Sequence, residues 1–454
     1  MRKKTFFLAS IMVALAACGC NEPTNGNGNG NDPVVLPNHE VIYEIFVRNF
    51  SPHGNFAGVT SEIPRLKELG VDILWLMPIH PIGEVKRKGT KGSPYSVKDY
   101  KAINPDFGTD ADFKALIKAA HDAKMKVIID WVANHTAWDN VWTTQHRDYY
   151  TLVNGNFVPP MPEWEDVIQL NYNNPNMRAA MIDAMKYWVT EFDIDGFRCD
   201  YTYGVPANFW QTAVTEVNKV KRLFWLSEGD DFNRSKHFDA DYAWGFAFKL
   251  NEFGENKNVA GLKNACLELF NNSNYANMSR MVYITNHDFS AWGEGTEFSR
   301  FGANVFAMTA LFFTIYDMPL LYNGQEYGIN QPIALFNVDI IKWGSVNAKM
   351  KPLVKKLIDL KHTQPALENG KNRGALKFFN TDKNSSVLVY SRTKEDNSVL
   401  IMLNLSDQTT EFSFTEAAPT GEFTDWLSTS KDKIKFSIDK PVTIGANGYQ
   451  ILVK

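Results

Sequence analysis

Four short stretches of this 454-residue sequence end in side chains that can carry charge or move protons. They are Asp130-Trp-Val-Ala-Asn134-His135, Gly196-Phe197-Arg198-Cys199-Asp200, Leu226-Ser227-Glu228 and Asn286-His287-Asp288. Strand periodicity of two puts Gly196, Arg198 and Asp200 on one face and turns Phe197 and Cys199 to the other. Arg198 then lies beside Asp200 and keeps it ionised, and the buried guanidinium gains the carboxylate partner it needs. If Asp200, Glu228 and Asp288 converge on one pocket, three carboxylates cannot stay equally acidic. At least one is pushed up in pKa and becomes a proton donor near neutral pH. That combination suits glycosidic cleavage, in which one carboxylate attacks the anomeric carbon and another protonates the leaving oxygen. Retention needs about 5–5.5 Å between the two carboxyl groups, a distance that neighbouring strands about 4.8 Å apart can supply.

These groups need a scaffold that collects strand ends. From residue 38 to 365, short apolar strands alternate with amphipathic helices, the pattern of a parallel sheet wrapped by helices. The strands are read at Val41–Phe46, Ile73–Met77, Lys126–Val132, Gly196–Asp200, Phe224–Glu228, a weak one at His237–Ala240, Met281–Thr285 and Pro319–Asn323. Helices are expected at Glu62–Leu69, Ala111–Ala123, Met177–Phe192, Asn208–Val220, Val259–Phe270, Phe298–Phe313 and Val354–His362. Eight such units fit an α/β fold of the (β/α)8 barrel type, whose active residues sit at the carboxyl ends of its strands. Residues 136–176, rich in Trp, Pro and Asn, read as a short lobe inserted after the third strand. Beyond Pro365 the helices stop. Leu376–Asn380, Val387–Arg392, Val399–Leu405, Glu411–Phe414, Ile434–Ile438 and Gln450–Val453 predict a C-terminal antiparallel β-sandwich over 366–454.

The N-terminus reads as targeting, not fold. Arg2, Lys3 and Lys4 precede an apolar run from Phe6 to Ala17, too short to span a bilayer. Leu15-Ala16-Ala17-Cys18 resembles a bacterial lipobox, so residues 1–17 are expected to be a lipoprotein signal peptide and Cys18 the lipidated residue. The Asn-, Gly- and Pro-rich run to residue 37 is a flexible tether. The expected location is the cell envelope, tethered to the outer membrane on its periplasmic face or at the cell surface. Net charge is −4, with no basic run that would bind nucleic acid or an anionic surface. With 12 Trp, 17 Tyr and 31 Phe, the chain has rings to spare for stacking on sugars beyond those that fill a core. Cys199 and Cys266 read as separate buried thiols, and no cysteine spacing suits zinc.

Taken together, the four stretches closely resemble the signatures of glycoside hydrolase family 13, the α-amylase family. Gly92-Ser-Pro-Tyr95-Ser-Val-Lys-Asp-Tyr100, Ile103-Asn-Pro-Asp-Phe-Gly108 and Pro319-Leu-Leu-Tyr-Asn-Gly-Gln-Glu326 are similar to further family motifs, and the resemblance covers essentially the whole mature chain. It implies a retaining α-glucan hydrolase with Asp200 as nucleophile, Glu228 as acid/base and Asp288 as transition-state stabiliser. It also implies that Arg198 orients Asp200, that His135 and His287 hydrogen-bond the glucosyl unit, that Tyr95 stacks on it and that Asp130 supports the site. The implied partner is an α-glucan, bound by a monomer that needs no cofactor. Two departures stand out. Tyr201-Thr-Tyr-Gly204 replaces the Lys-His pair that many relatives carry after the nucleophile, and Gln169 replaces an Asp before Leu170-Asn171. Losing that carboxylate leaves Asn134 a weak calcium candidate. Two alternatives compete with hydrolysis: transfer of the glycosyl group to a sugar acceptor, and glycan binding on a fold that has lost catalysis.

Overall fold

Eight short strands, each buried along its length, are joined by segments that carry helices, so every strand must run parallel to its neighbours and be covered on both faces. In the computed structural model, which describes residues 38–293, 295–344 and 347–454, they close into a barrel. The strands are β1 (Ile42–Ile45), β2 (Ile73–Leu76), β3 (Lys126–Trp131), β4 (Gly196–Cys199), β5 (Phe224–Ser227), β6 (Ala240–Tyr242), β7 (Ser279–Val282) and β8 (Met318–Tyr322). Neighbours pair in chain order and β8 closes on β1. Alternation sorts their side chains. Ile42, Trp75, Ile128, Leu226, Tyr242, Met281 and Leu320 fill the barrel interior, while Leu74, Val127, Ile129, Phe197, Cys199 and Trp225 pack outward against the helices. Register places Asp130 opposite Arg198, and Arg198 opposite Leu226. Gly196 permits that register, because a Cβ there would collide with the Phe224 carbonyl oxygen.

Local signals set the helix ends. Thr109 and Asp112 form a reciprocal capping box at the start of Asp110–Asp122. Asn174 caps Pro175–Phe192, with Pro175 in the first turn where no amide is required. The segment after β3 forms a lobe in which His135–Ala137 pairs with Val167–Gln169. No described helix is long and apolar enough to cross a membrane. Residues 1–37, including Cys18 and the expected signal peptide and tether, lie outside the described residues.

Several expectations shift. The sixth strand is Ala240–Tyr242, not His237–Ala240. Asp239 and Asp241 hid its pattern: Asp239 accepts the Trp225 amide and Asp241 the Tyr275 hydroxyl, so both charges are satisfied inside an apolar layer. Trp244–Asn256 is an unanticipated helix, with Ala243 in place of a polar cap and Gly245 and Gly254 weakening its signal. The helix expected at Phe298–Phe313 breaks into Glu297–Phe301 and Val305–Thr314 at Gly302, whose φ is 57°. β7 stops at Val282 instead of Thr285, and Asn286 then caps a new helix, His287–Ala291.

The C-terminal strands are β9 (Ala375–Phe379), β10 (Val387–Lys394), β11 (Asn397–Asn404), β12 (Thr410–Phe412), β13 (Thr424–Asp425), β14 (Val442–Ile444) and β15 (Tyr449–Val453). Five form an antiparallel sheet ordered β9-β10-β11-β15-β13, and β12 pairs with β14 as a second, two-stranded layer. Val389, Leu400 and Leu452 pack toward Phe412 and Ile444 of that layer. Tyr390, Ile401 and Ile451 pack on the barrel side, where the Tyr390 hydroxyl meets Thr314 Oγ1 at 2.7 Å. Ile434–Ile438 is not a strand; only Ile434 bridges, to Phe423. Cys199 and Cys266 are free and buried.

Candidate active site

Arg198 is the centre of the site. It is fully buried, and a buried guanidinium must spend its fixed fork of donors on acceptors. Nη1 lies 2.9 Å from Asp130 Oδ1 and 2.9 Å from Asp200 Oδ1, and Nη2 lies 2.9 Å from Glu228 Oε1. Nε–H donates to the Tyr242 hydroxyl at 3.1 Å. The rigid fork therefore holds the facing oxygens of Asp200 and Glu228 within about 8 Å of each other. Both carboxylates sit one residue past their strands. The Asp200 amide donates to Trp131 O at 3.0 Å and the Glu228 amide to Cys199 O at 2.9 Å, which extends the ladder far enough to set both side chains at the barrel mouth.

The chain turns sharply after Asp200. Tyr201 adopts φ 41°, ψ 56°, a left-handed conformation that costs a non-glycine residue of order 1–3 kcal/mol. The turn aims its amide at Glu228 Oε2, 2.6 Å away. Thr202 Oγ1 donates to the Glu228 carbonyl at 2.8 Å. Burial raises the Glu228 pKa, and the charges of Asp200 and Asp288 raise it further, against the opposing pull of Arg198. Burial raises Asp130 as well, to about 7, but of the two only Glu228 is partly exposed, so it is the raised carboxyl that can hand a proton to a substrate.

Asp130 is sealed behind Arg198. Its Oδ2 accepts Trp75 Nε1–H at 3.2 Å and the Tyr95 hydroxyl at 3.1 Å. Both its oxygens are engaged, so it braces the site and does not face a substrate. Asp200, Glu228 and Asp288, by contrast, have side chains 11%, 14% and 25% exposed, opening toward solvent. Asp288 lies in the first turn of the helix that Asn286 caps, not on β7. Its Oδ2 is 3.3 Å from His287 Nε2, and its Oδ1 accepts Trp292 Nε1–H at 3.0 Å. Tyr95 stacks on His287 with ring centres 5.4 Å apart, and their polar atoms meet at 2.8 Å.

His135 is buried with its ring edge toward Trp164 at 5.3 Å, and burial lowers its pKa although the Asp200 charge opposes this. Its neighbour Asn134 is fully used: Oδ1 accepts Gln169 Nε2–H at 3.2 Å, and Nδ2–H faces His135 Nδ1 at 3.2 Å. Ca2+ takes amide as well as carboxylate oxygens, but here Asn134 Oδ1 already accepts from Gln169 in the place where a carboxylate would stand. Among the described residues, no group of three His, Cys, Asp or Glu side chains is placed to hold a metal ion.

The structure thus links Asp130, Asp200 and Glu228 through Arg198, and Asp130 through Tyr95 to His287 and Asp288, with His135 near enough to feel the Asp200 charge. Sequence reasoning missed Glu44, Trp75, Tyr201, Tyr242 and Trp292. For Glu44 a signal existed, a lone charge in the apolar strand Ile42–Ile45. Trp75 and Tyr242 looked like ordinary core residues.

A family model described as "Alpha amylase, catalytic domain" matches residues 23–166 and 161–386, and one described as "Maltogenic Amylase, C-terminal domain" matches 376–449. The chain is 28% identical over 390 residues to alpha-amylase MalA of Haloarcula japonica, an alignment covering 82% of this chain and 56% of that protein. It therefore spans little more than half the length of that relative. Among solved structures, an alpha-amylase from Lactobacillus plantarum superposes with a TM-score of 0.81 at 30% identity, covering 92% of this chain and 99% of that one. The maltogenic alpha-amylase AmyB from Thermotoga neapolitana gives a TM-score of 0.82 at 28% identity, over 91% of this chain and 98% of that one.

Proposed function

This chain belongs to the α-amylase catalytic-domain family, and from that premise we propose that it hydrolyses α-glucosidic bonds in starch-derived chains with retention. In this reading Asp200 attacks the anomeric carbon while Glu228 gives its proton to the glycosidic oxygen. The C–O bond to the leaving sugar breaks, and a β-linked glycosyl ester forms on Asp200. Glu228, now ionised, takes a proton from water. That water attacks the anomeric carbon, the bond from this carbon to the Asp200 oxygen breaks, and an α-configured sugar and free Asp200 are released. Arg198 holds both carboxylates in register, and Asp288 meets ring hydroxyls as positive charge builds at the anomeric carbon. His135, His287 and Tyr95 line the sugar pocket.

The observation that carries the reading is the single guanidinium shared by Asp200 and Glu228. One carboxylate beside it is poised to attack and the other is driven to hold a proton. Digestion of defined α-1,4 and α-1,6 glucans, with the product anomer read by NMR before mutarotation, tests it. Release of α sugar is expected. Release of β sugar, or no turnover on the whole panel, refutes the reading.

We also propose that the chain is a lipoprotein of the cell envelope, held by a lipid on Cys18. The basic Arg2–Lys4 start, the apolar Phe6–Ala17 run and the Leu15-Ala16-Ala17-Cys18 site support this. A Cys18→Ser variant is expected to leave the membrane fraction. Equal membrane retention of the variant and the wild type would count against the anchor.

A further inference from the structure

Glu44 lies on β1, two residues after the inward-facing Ile42, and its side chain is fully buried. One oxygen, Oε1, is 2.5 Å from His287 Nδ1; the other, Oε2, has no hydrogen-bond partner. A buried carboxylate with one partner is costly unless that partner carries the opposite charge. The other side of the ring gives a second, independent constraint. His287 Nε2 faces the Tyr95 hydroxyl at 2.8 Å and Asp288 Oδ2 at 3.3 Å. The Tyr95 proton is directed to Asp130 Oδ2 at 3.1 Å. An unprotonated Nε2 would point its lone pair at a carboxylate and compete with Asp130 for the Tyr95 proton. A protonated Nε2 removes both conflicts, and every donor in the chain from His287 through Tyr95 to Asp130 then finds an acceptor.

We infer that Glu44 is a positioning residue that keeps His287 as an imidazolium, so that the Nε2–H group fixes Asp288 and Tyr95 for the sugar. The inference rests on the proposed glycosidase reading and assigns that site a charged support beneath it. The groups facing His287 come from several elements: Glu44 from β1, the Trp75 ring from β2, Tyr95 from the loop after β2, Asp130 from β3, Arg198 from β4 and Asp288 from its own helix. Tyr322 of β8 lies beside Glu44. Burial alone lowers the His287 pKa; Asp288 and Glu44 outweigh burial and the Arg198 charge and bring it to about 9. Without the Glu44 charge, His287 moves toward the ordinary histidine value of about 6.5, and at pH 7.5 roughly a tenth of the rings stay charged.

Two measurements test this. In 15N-histidine-labelled wild type, the His287 resonances are assigned by their loss in His287→Gln. Imidazolium shifts at both ring nitrogens through about pH 8 are expected. A neutral ring at pH 7, with the proton on Glu44 instead, overturns the inference. In Glu44→Gln, turnover is expected to fall about tenfold relative to wild type at pH 7.5 and to return within about twofold at pH 5.5, as lower pH restores the charge. A ratio that does not change with pH means Glu44 is only a packing group and also overturns it. If Glu44→Gln does not fold, the wild-type resonances still decide. If wild type turns over no α-glucan, the functional reading falls, while the His287 proton count is measured regardless.

Discussion

Replacing Glu228 by Gln removes the acidic proton with almost no change of shape, and the structure sets the size of the effect. Glu228 Oε2 accepts the Tyr201 amide at 2.6 Å, while Oε1 lies 2.9 Å from Arg198 Nη2 as an ion-pair contact without hydrogen-bond alignment. Gln offers only one oxygen, so one of those donors faces an NH2 group, a cost of about 1–3 kcal/mol. Protonated Glu228 and Gln are both neutral, so no buried charge is gained or lost, and Arg198 keeps Asp130 and Asp200 as partners. The variant should therefore fold and melt within a few degrees of wild type. Activity should respond very differently. Losing a positioned proton donor costs roughly 10²–10⁴ in rate, or about 3–5 kcal/mol in barrier. Maltooligosaccharide, whose leaving sugar needs a proton, should show the full loss in kcat/KM. An α-maltosyl fluoride, whose leaving group departs without protonation, should lose only about tenfold in the step that forms the ester. Azide should then accelerate turnover and give an α-configured glycosyl azide, because it needs no general base. Equal loss on both substrates would refute the assignment of Glu228 as proton donor. An Asp200→Asn variant that still consumed the fluoride would refute Asp200 as the nucleophile.

Three further outcomes follow from the same geometry. Glu228 acts while protonated and its pKa is raised, so the basic limb of wild-type kcat/KM should appear only as pH rises through that elevated value, while an acid limb reports loss of the attacking carboxylate. A basic limb at the ordinary glutamate value of about 4.3 would contradict the assignment. Gly196→Ala should cost at least about 2 kcal/mol, because its Cβ collides with the Phe224 carbonyl between β4 and β5; an unchanged thermal midpoint would show that the barrel gives way more easily. Activity should survive exhaustive chelation, since Asn134 Oδ1 is already taken by Gln169; a loss reversed by added Ca2+ would mean that the amides rearrange around an ion.

The legible part of the molecule was the part with short-range rules. Alternation alone put Arg198 and Asp200 inward and Phe197 and Cys199 outward, and the structure keeps that order. Charged residues in apolar surroundings misled. Asp239 and Asp241 masked β6 because their partners, the Trp225 amide and the Tyr275 hydroxyl, come from 14 and 34 residues away. Asn286 was read as a strand end when its side chain caps a helix by accepting the Phe289 amide at 2.9 Å. No local pattern marks Tyr201, whose left-handed turn is a tertiary demand: its amide must reach Glu228 on the next strand. Glu44 did carry a local signal, a lone charge in an apolar strand, but its partner lies 243 positions along the chain.

One arginine among three carboxylates looks like an incomplete neutralisation, and the shortfall is what makes the cycle run. In the proposed mechanism, one Arg198 cannot compensate Asp130, Asp200 and Glu228 all ionised, and burial raises the pKa of both Asp130 and Glu228. Asp200 is one of the charges holding the proton on Glu228. When Asp200 attacks the sugar, its negative charge becomes part of a neutral ester. The repulsion that kept Glu228 protonated falls as the leaving oxygen requires the proton. Once it has ionised, Glu228 is paired with Arg198 and no longer opposed by Asp200, and so remains a base long enough to activate water. Hydrolysis of the ester restores the Asp200 charge and with it the drive to reprotonate Glu228. Asp288 does not take part in this alternation, because its oxygens are held by His287 and Trp292 instead of Arg198. In the proposed mechanism it is the fixed group that both half-reactions meet, as stabilising the same oxocarbenium-like transition state twice demands.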